Sequence, residues 1–395
     1  MTKYFDYCAS SPIHPKVQDI FIKMTKEIYA NPSSTHKMGK EAKSFVEKAR
    51  EKISEILNVK SGEIFFTSGA TESNNLALLG VINAAKRNQK KIHIITTPIE
   101  HSSIYSCCKF LECQMVEVSY AKVNEVGRVD LECLLNLIKE ETVLISIMHV
   151  NNETGIVQPI EEIGEELKKL GKNIFFHVDG AQGFGKVPLA LDYIDLYTLS
   201  GHKIGAPKGI GILVVKEHVE VEPIFFGGGQ EQSLRPGTLN VPAIVALAEA
   251  IQLAKQNIDQ RREKLKNFYL MLFKSFSTVP YFVINSAKHP YISSHIFNFS
   301  VPGIPSALTL KVLENKGIIA SSQSACFSTG NLSRVLMEIT GDREISSSSI
   351  RLSIHEDMKK SDIDYLIETV LSVKDSFTSR KKVLSLLLNS ETVLS

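Results

Sequence analysis

Three groups of reactive side chains each follow a short apolar run in this sequence. They are the segment SGATESNN (68–75), Asp179 and Lys203, which come after the runs 63–67, 173–178 and 196–200. Runs of this kind are typical of buried parallel strands, and open α/β sheets bind their ligands at the carboxyl ends of the strands. We therefore expect three groups to meet in one site: an anion-binding helix start, the carboxylate of Asp179 and the amine of Lys203.

Each group also has an ordinary structural explanation. Thr71 can simply cap a helix, an aspartate after a strand is a common turn residue, and a lone lysine usually extends into solvent. The segment GAQGFGK (180–186) nearly matches a phosphate-binding P-loop. However, Val187 stands where a magnesium-binding Ser or Thr is required, and Pro188 interrupts the helix that should follow. We therefore reject a P-loop.

The three groups together match the needs of one cofactor, pyridoxal 5′-phosphate. Its phosphate needs an anion cradle, its aldehyde needs a lysine, and its pyridine nitrogen needs an acidic partner. Burial disfavours the charged form of a lysine beneath apolar strands, which suits Schiff-base chemistry at Lys203.

Alternating strands and helices would position these groups. Strands are predicted at 63–67, 91–96, 143–148, 173–178, 196–200 and 211–215, with helices that include 40–57 and 72–87. Continuous apolar strands separated by helices predict an α/β domain whose mostly parallel sheet is covered by helices on both faces.

The pattern changes after Pro242. A long helix carries an apolar stripe from Ile244 to Ala254, and the polar stretch 256–266 is interpreted as a connection into a smaller α+β C-terminal domain. Its predicted elements are strands at 295–300, 318–321 and 349–354, helices at 307–315 and 332–339, and a capping box at 361–364 that opens a final helix. The predicted division is an N-terminal segment 1–14 packing with the small domain, a large domain 15–255 and a small domain 256–395.

Composition excludes several classes of protein. The 395 residues carry 45 basic and 43 acidic side chains, a net charge of +2, which gives no electrostatic reason for a nucleic acid partner. No stretch reaches the ~18 apolar residues of a membrane span, and no apolar segment follows Met1 as in a secretory signal, so we predict a cytoplasmic location. The six cysteines form no CxxC pair or zinc spacing, so no metal is predicted.

Seven segments, in order, carry a family resemblance that spans nearly the whole chain. They are SGATESNN (68–75), HVNNETG (149–155), HVDGAQ (177–182), SGHKIGAPKGIG (200–211), GTLNVP (237–242), SSQSAC (321–326) and SSIRLS (348–353). The chain resembles the cysteine desulfurases, class V members of the fold-type I pyridoxal-phosphate transferases. Its SSQSAC segment is similar to that of the housekeeping iron–sulfur and nitrogen-fixation branch.

The resemblance implies a role for each matching residue. Lys203 would bind the cofactor covalently and move the substrate Cα proton, Asp179 would pair with the pyridinium nitrogen, and His101 would stack on the ring. Arg351 would hold the substrate carboxylate. The remaining implied contacts are hydrogen bonds to cofactor or substrate oxygens from Gln182 and Asn152, and a phosphate site made of Ala70, Thr71, Ser200, His202 and, from a neighbouring subunit, Thr238.

Cys326 is the implied sulfur acceptor. It lies in a predicted loop among small polar residues, which suits an exposed nucleophilic thiolate. The resemblance implies that L-cysteine becomes L-alanine and leaves its sulfur on Cys326 as a persulfide. The sequence departs from the family pattern at Gln323, at Phe327 and at the shortened loop near 331, as well as at 205–206 and 353–358. None of these changes removes a catalytic group.

Several alternatives stay open at this stage. Another reaction on the same cofactor would make the chain a selenocysteine lyase, a cysteine lyase or a class V aminotransferase, and a non-catalytic relative of the fold is a further possibility. The family implies a homodimer and a sulfur-acceptor protein, either an iron–sulfur scaffold or a tRNA-thiolation carrier. The sequence does not choose between these acceptors.

Overall fold

The computed structural model describes residues 2–88, 91–286, 290–323 and 332–373. Its helices are α1 Pro15–Glu27, α2 Lys37–Leu57, α3 Ala70–Asn88, α4 Ser102–Cys113, α5 Leu131–Asn136, α6 Ile160–Leu170, α7 Val241–Lys255, α8 Ile258–Phe276, α9 Ser306–Asn315, α10 Arg334–Thr340, α11 Arg343–Ser347 and α12 Lys360–Leu371. Its strands are β1 Lys3–Tyr4, β2 Ile64–Thr67, β3 His93–Thr96, β4 Glu117–Tyr120, β5 Thr142–Met148, β6 Phe175–Asp179, β7 Leu196–Ser200, β8 Gly211–Val215, β9 Val283–Ile284, β10 Ile296–Ser300, β11 Ile318–Ile319 and β12 Ser349–Ser353.

The chain folds into two compact units. The larger spans residues 10–151 and 156–258, and the smaller combines the N-terminal residues up to 9, the short segment 152–155 and the chain from 259 onward. The segment 152–155 belongs to the smaller unit although its chain neighbours on both sides belong to the larger one.

The larger unit contains a seven-stranded sheet in the order β2-β8-β7-β6-β5-β3-β4. β8 pairs antiparallel with β2 and β7, and the other strand pairs are parallel. Consecutive strand residues pack on opposite faces: Ile64 and Phe66 join one apolar cluster and Phe65 joins another. The predicted mostly parallel sheet, covered on both faces, is confirmed.

The smaller unit has its own antiparallel sheet. β10 pairs with β9 on one side and β12 on the other, and a separate parallel pair joins β1 to β11. Phe276 of α8 packs its ring 5.5 Å from Phe297 and 5.1 Å from Phe299 of β10. These aromatic contacts join the helix to the sheet around one apolar core.

Two details of the smaller unit differ from the sequence interpretation. The stretch 256–266, interpreted as a connection between domains, is not a loop, because helix α8 begins at Ile258 and runs through it; the division between the two units falls inside this stretch, after Ile258. Its first turns are polar because they face solvent, and the apolar stripe begins only at Leu265. The last helix begins at Lys360, and the side chain of Asp362 accepts from the backbone N–H of Lys359, so the predicted 361–364 capping box is placed two residues too late.

Candidate active site

The strands β2, β6 and β7 end at the same edge of the large sheet. Residue pairing places Thr67 opposite Gly211, Gly211 opposite Ser200, and Thr198 opposite Asp179. Asp179 is the last residue of β6, and a 3-10 turn, Gly201–Lys203, follows β7 directly. The helix start after β2, the carboxylate and the lysine therefore emerge at one edge, as the sequence predicts from strand ends.

The start of α3 forms a cradle for an anion. The first backbone N–H groups of any α-helix lack partners inside the helix, so those of Ala70 and Thr71 face outward at the positive end of the helix dipole. A Cβ added to Gly69 would lie 3.8 Å from Ser200 Oγ, so that hydroxyl borders the helix start. Gly211 allows this close approach, because a Cβ there would come within 2.7 Å of the Gly69 Cα.

An ion pair neutralises the carboxylate of Glu72, which lies beside this cradle. Glu72 lies in the first turn of α3, where its charge would repel a phosphate. Arg235 binds it through Nε at 2.7 Å and Nη2 at 3.3 Å, and the Ser68 N–H donates to it at 2.8 Å. Burial alone would favour the protonated acid, but these donors hold the pKa of Glu72 below its ordinary value. The cradle therefore keeps its affinity for anions.

Asp179 is held in one orientation by two neutral donors. It is 5% exposed; Oδ2 accepts from Asn74 Nδ2 at 2.8 Å and Oδ1 accepts from the Ala181 N–H at 3.0 Å. Neither donor carries a charge. The two hydrogen bonds therefore orient the carboxylate without cancelling its negative charge. A carboxylate in this state suits a cationic ring nitrogen.

Lysine side chains surround the 3-10 turn that ends at Lys203. Lys186 Nζ donates to the backbone carbonyl of Lys203 at 3.2 Å, so the lysine of the P-loop-like segment fixes this turn instead of binding a nucleotide. Burial, helped by the charges of Lys203, Lys208 and Lys186, lowers the pKa of His202 to about 4. His202 is therefore a neutral imidazole at pH 7, beside Ser10 Oγ at 3.3 Å.

His101 begins α4 as its N-cap. Its Nδ1 accepts from the backbone N–H of Ser103 at 3.2 Å, and the ring is half-buried. Gln182 is buried in the turn after β6, whereas Thr238 is exposed. Thr238 follows Arg235 in a loop whose Gln230–Ser233 turn has three non-glycine residues at positive φ.

Two histidines of the larger unit predict a loss of stability in acid. Burial lowers the pKa of His149 and of His177 to about 4, below the ordinary 6.5. The unfolded chain therefore binds more protons between pH 6.5 and 4, so the stabilisation is complete above pH 6.5 and falls as the pH drops towards 4. We expect the free energy of unfolding in urea to fall by about 1–2 kcal/mol per imidazole between pH 7 and pH 5.

A histidine variant separates this effect from general acid unfolding. In His177→Asn the pH dependence between 7 and 5 should shrink by about a third, whatever the variant's stability at pH 7, because His149 and His202, whose pKa values burial also lowers to about 4, remain. An unchanged pH dependence would show that His177 does not contribute to it.

Arg351 and Asn152 belong to the smaller unit. Arg351, on β12, is 1% exposed; Nη1 donates to the Asn152 carbonyl at 2.9 Å and Nη2 to Asp6 Oδ1 at 2.9 Å. Its Nε is buried and makes no hydrogen bond among the described residues. Within this unit the arginine thus keeps donor capacity beyond its two partners, as recognition of a carboxylate requires.

Cys326 lies outside the described residues, but both flanks of its segment are described. Before it, Ser321 exchanges backbone hydrogen bonds with Arg351, at 2.6 Å and 3.3 Å. After it, Ser333 caps α10 by accepting from the Leu336 N–H and donates to Glu153 Oε2 at 2.6 Å. Of the two described flanks, Ser321 therefore lies next to Arg351, and Ser333 lies next to Glu153, the chain neighbour of Asn152.

Sequence reasoning did not identify four residues that support this site. Asn74, Arg235 and Asp6 bond side chains of predicted site residues or of their neighbours, and Lys186 bonds the backbone carbonyl of Lys203. Asn74 lies inside the motif 68–75, which was a usable signal, and Lys186 ends the segment 180–186, which was considered only as a P-loop. Asp6 and Arg235 left no signal, since their partners are distant in sequence. Across the described ranges, no three His, Cys, Asp or Glu side chains are grouped to hold a metal, and no helix is long and apolar enough to cross a bilayer.

Comparison with known proteins identifies relatives along almost the full length. The family model described as Aminotransferase class-V matches residues 3–366. "Cysteine desulfurase IscS" of Clostridium botulinum (strain Hall) is 39% identical over 374 residues, which cover 93% of this chain and 93% of the relative. "Putative cysteine desulfurase IscS 1" of Bacillus subtilis (strain 168) is 38% identical over 355 residues, covering 89% and 92%.

Solved structures agree with these relatives. A "NifS-like protein" superposes with a TM-score of 0.88 at 34% identity, covering 95% of this chain and 100% of that one. "SspA in complex with cysteine" superposes with a TM-score of 0.78 at 34% identity, covering 90% and 99%.

Proposed function

We propose that this chain, which belongs to the class-V aminotransferase family, is a cysteine desulfurase that converts L-cysteine to L-alanine and retains the sulfur as a persulfide. Relatives with nearly full mutual coverage carry that name. The observation that carries the proposal is the convergence of the α3 cradle, Asp179 and Lys203 at one sheet edge. The same arrangement suits pyridoxal 5′-phosphate.

The described residues fit that cofactor. Ala70, Thr71, Ser200 and His202 would hold its phosphate, Asp179 its ring nitrogen and Lys203 its aldehyde, with His101 against the ring and Gln182 hydrogen-bonded to an oxygen. Gly69 and Gly211 leave room at the cradle that a Cβ would fill. When bound, the cofactor withdraws electrons from the substrate Cα and so acidifies its proton.

Each protein group then has a defined task. Lys203 Nζ removes the Cα proton and later returns a proton. Arg351 binds the substrate carboxylate through a planar fork of N–H donors, and Asn152, whose carbonyl already accepts from Arg351, offers its amide to substrate or cofactor oxygens.

Cys326 completes the proposed reaction as nucleophile. Its thiolate attacks the substrate sulfur, an S–S bond forms, and the Cβ–S bond breaks with its electron pair passing to the three-carbon fragment. Proton addition to that fragment releases L-alanine. The reaction needs no external oxidant. The two electrons lost when the S–S bond of the Cys326 persulfide forms are gained by the carbon fragment, which is reduced to alanine.

The oligomer and the sulfur acceptor are also part of the proposal. We propose a homodimer in which Thr238, which is exposed in this chain, reaches the partner's phosphate site. The persulfide passes to an iron–sulfur scaffold or a tRNA-thiolation carrier. The cytoplasmic location and the domain limits at 14 and 255 stay predictions from sequence.

Product analysis tests the reaction against its alternatives. The purified protein is reconstituted with pyridoxal phosphate and given L-cysteine and a reductant. A desulfurase yields alanine and sulfide in equal amounts. A cysteine lyase yields pyruvate, an aminotransferase exchanges the amino group with an oxo acid, and a selenocysteine lyase acts only on the selenium analogue. A non-catalytic relative yields no product, and its absorption spectrum does not change when cysteine is added.

Arg351→Lys is expected to raise the KM for L-cysteine at least tenfold while changing kcat by less than threefold. Lysine keeps the positive charge but loses the planar fork that matches a carboxylate. Steady-state alanine formation gives both constants. Arg343→Lys, an exposed arginine on α11, is the matched control and should behave as wild type. Equal KM values in wild type and Arg351→Lys would contradict carboxylate binding by Arg351.

A further inference from the structure

A continuous chain of hydrogen bonds joins Asp179 to His101 through two residues that have no assigned role. Asn74 Nδ2, on α3, lies 2.8 Å from Asp179 Oδ2 and 2.9 Å from Ser103 Oγ. Ser103 Oγ, on α4, lies 2.9 Å from His101 Nδ1. Asn74 is fully buried and Ser103 is 7% exposed, so water competes little for these bonds.

The donors and acceptors along this chain follow from chemistry. A carboxylate only accepts, so Asn74 must present its NH₂ group to Asp179, and the second hydrogen of that group goes to Ser103 Oγ. The Ser103 hydroxyl then has its own hydrogen for His101 Nδ1. The Ser103 backbone N–H also donates to Nδ1, and a backbone nitrogen can only donate. His101 Nδ1 is therefore unprotonated and the ring proton lies on Nε2.

The amide of Asn74 also has an unfavourable feature. Its Oδ1 is buried and accepts no hydrogen bond among the described residues. A buried acceptor left unpaired destabilises the fold, and an apolar side chain of similar size would avoid this. A native group of this kind calls for an explanation. The two hydrogens of the same amide, both directed at residues of the cofactor site, supply one.

Neutral donors suit the demands on Asp179. A lysine or arginine in place of Asn74 would orient the carboxylate but also cancel its charge. His177, two residues earlier on the same face of β6, is kept neutral because burial lowers its pKa to about 4. Asp179 is thus oriented by donors without charge, so its negative charge would be available to the ring nitrogen of the cofactor.

We propose that Asn74 is a positioning residue that orients Asp179 for the cofactor ring and, through the Ser103 hydroxyl that bonds Nδ1 of His101, holds the His101 ring in place against the cofactor. This inference rests on the proposed use of pyridoxal phosphate. One buried amide would then align Asp179 and His101, the groups on two sides of the cofactor.

Cofactor affinity of the apoprotein tests the proposal without relying on turnover. Asn74→Ala should raise the Kd for pyridoxal phosphate about tenfold, because the Asp179 carboxylate loses one of its two hydrogen-bond donors. With cofactor ¹⁵N-labelled at the ring nitrogen, the same variant should also shift that nitrogen's resonance towards the unprotonated value. Ser103→Ala should raise the Kd about threefold, and the double variant should raise it by less than the product of the two single effects, since the amide acts on His101 through the hydroxyl.

Ser54→Ala is the matched control. Ser54, on α2, is also a buried serine, but its hydroxyl donates to the Glu51 carbonyl outside the cofactor site, so its loss should leave the Kd unchanged. If Asn74→Ala does not fold, Ser103→Ala, which removes one oxygen, still tests the connection. Wild-type Kd and ring-nitrogen resonance in Asn74→Ala, or in Ser103→Ala alone, would overturn the inference and leave the proposed function intact. A wild-type apoprotein that binds no pyridoxal phosphate would overturn both.

Discussion

Lys203→Ala is expected to lower the rate of alanine formation from L-cysteine about 10⁴-fold or more. The variant loses the amine that binds the cofactor and moves the Cα proton, and general acid–base catalysis by one positioned group contributes up to about 10⁴-fold. The phosphate cradle of α3 and Ser200 is untouched, so the protein should still bind pyridoxal phosphate reversibly. Its visible spectrum should be that of pyridoxal phosphate bound without a covalent link to the protein.

Lys208→Ala is the control for this prediction. Lys208 is exposed in the loop that follows Lys203, and it contributes to the same local positive potential. Its removal should change the rate less than threefold. A Lys203→Ala protein that retained the wild-type spectrum and rate would mean that another lysine binds the cofactor, and Lys186, hydrogen-bonded to the Lys203 carbonyl, would be the first to examine.

Cys326→Ser is expected to abolish persulfide formation and to lower turnover with L-cysteine at least 10³-fold. Serine is far less nucleophilic towards sulfur than a thiolate, and no second thiol is proposed for the reaction. Cofactor Kd and the visible spectrum should match wild type, because the site at the carboxyl edge of the sheet does not include this residue. Activity loss with an intact spectrum distinguishes this variant from Lys203→Ala.

Cys113→Ser is its matched control. Cys113 is exposed at the end of α4 and should be dispensable. The buried pair Cys107 and Cys108 makes poor nucleophiles, since burial raises the pKa of Cys107 to about 12 and that of Cys108 further. Persulfide found on the Cys326→Ser protein at the wild-type rate would contradict the assigned nucleophile.

The large sheet could be predicted because its strands are continuous apolar runs. β7 and β8 match their predicted bounds, and the strand that ends at Asp179 is displaced by one to two residues. β4 was not predicted, because this edge strand, Glu117–Tyr120, has no fully buried residue and so no apolar run. The part of the sheet that positions the cofactor residues was thus the part with the clearest sequence signal.

Contacts between distant residues could not be predicted from one sequence. Asn74 meets Asp179 across 105 residues, and Arg351 meets Asp6 across 345. A local pattern contains no information about which polar groups the fold brings together. The family resemblance named Arg351 as a carboxylate ligand, but its burial against Asp6 and the Asn152 carbonyl emerges only from the folded chain.

The most direct test of the account is a single turnover with sulfur-labelled L-cysteine on the reconstituted protein. Alanine and protein-bound label are measured together, and the label is located by peptide mapping. We expect one alanine to be released for each labelled sulfur, with the label on the peptide that contains Cys326 and removable by a thiol reductant. Formation of alanine or pyruvate without label on Cys326 would contradict it.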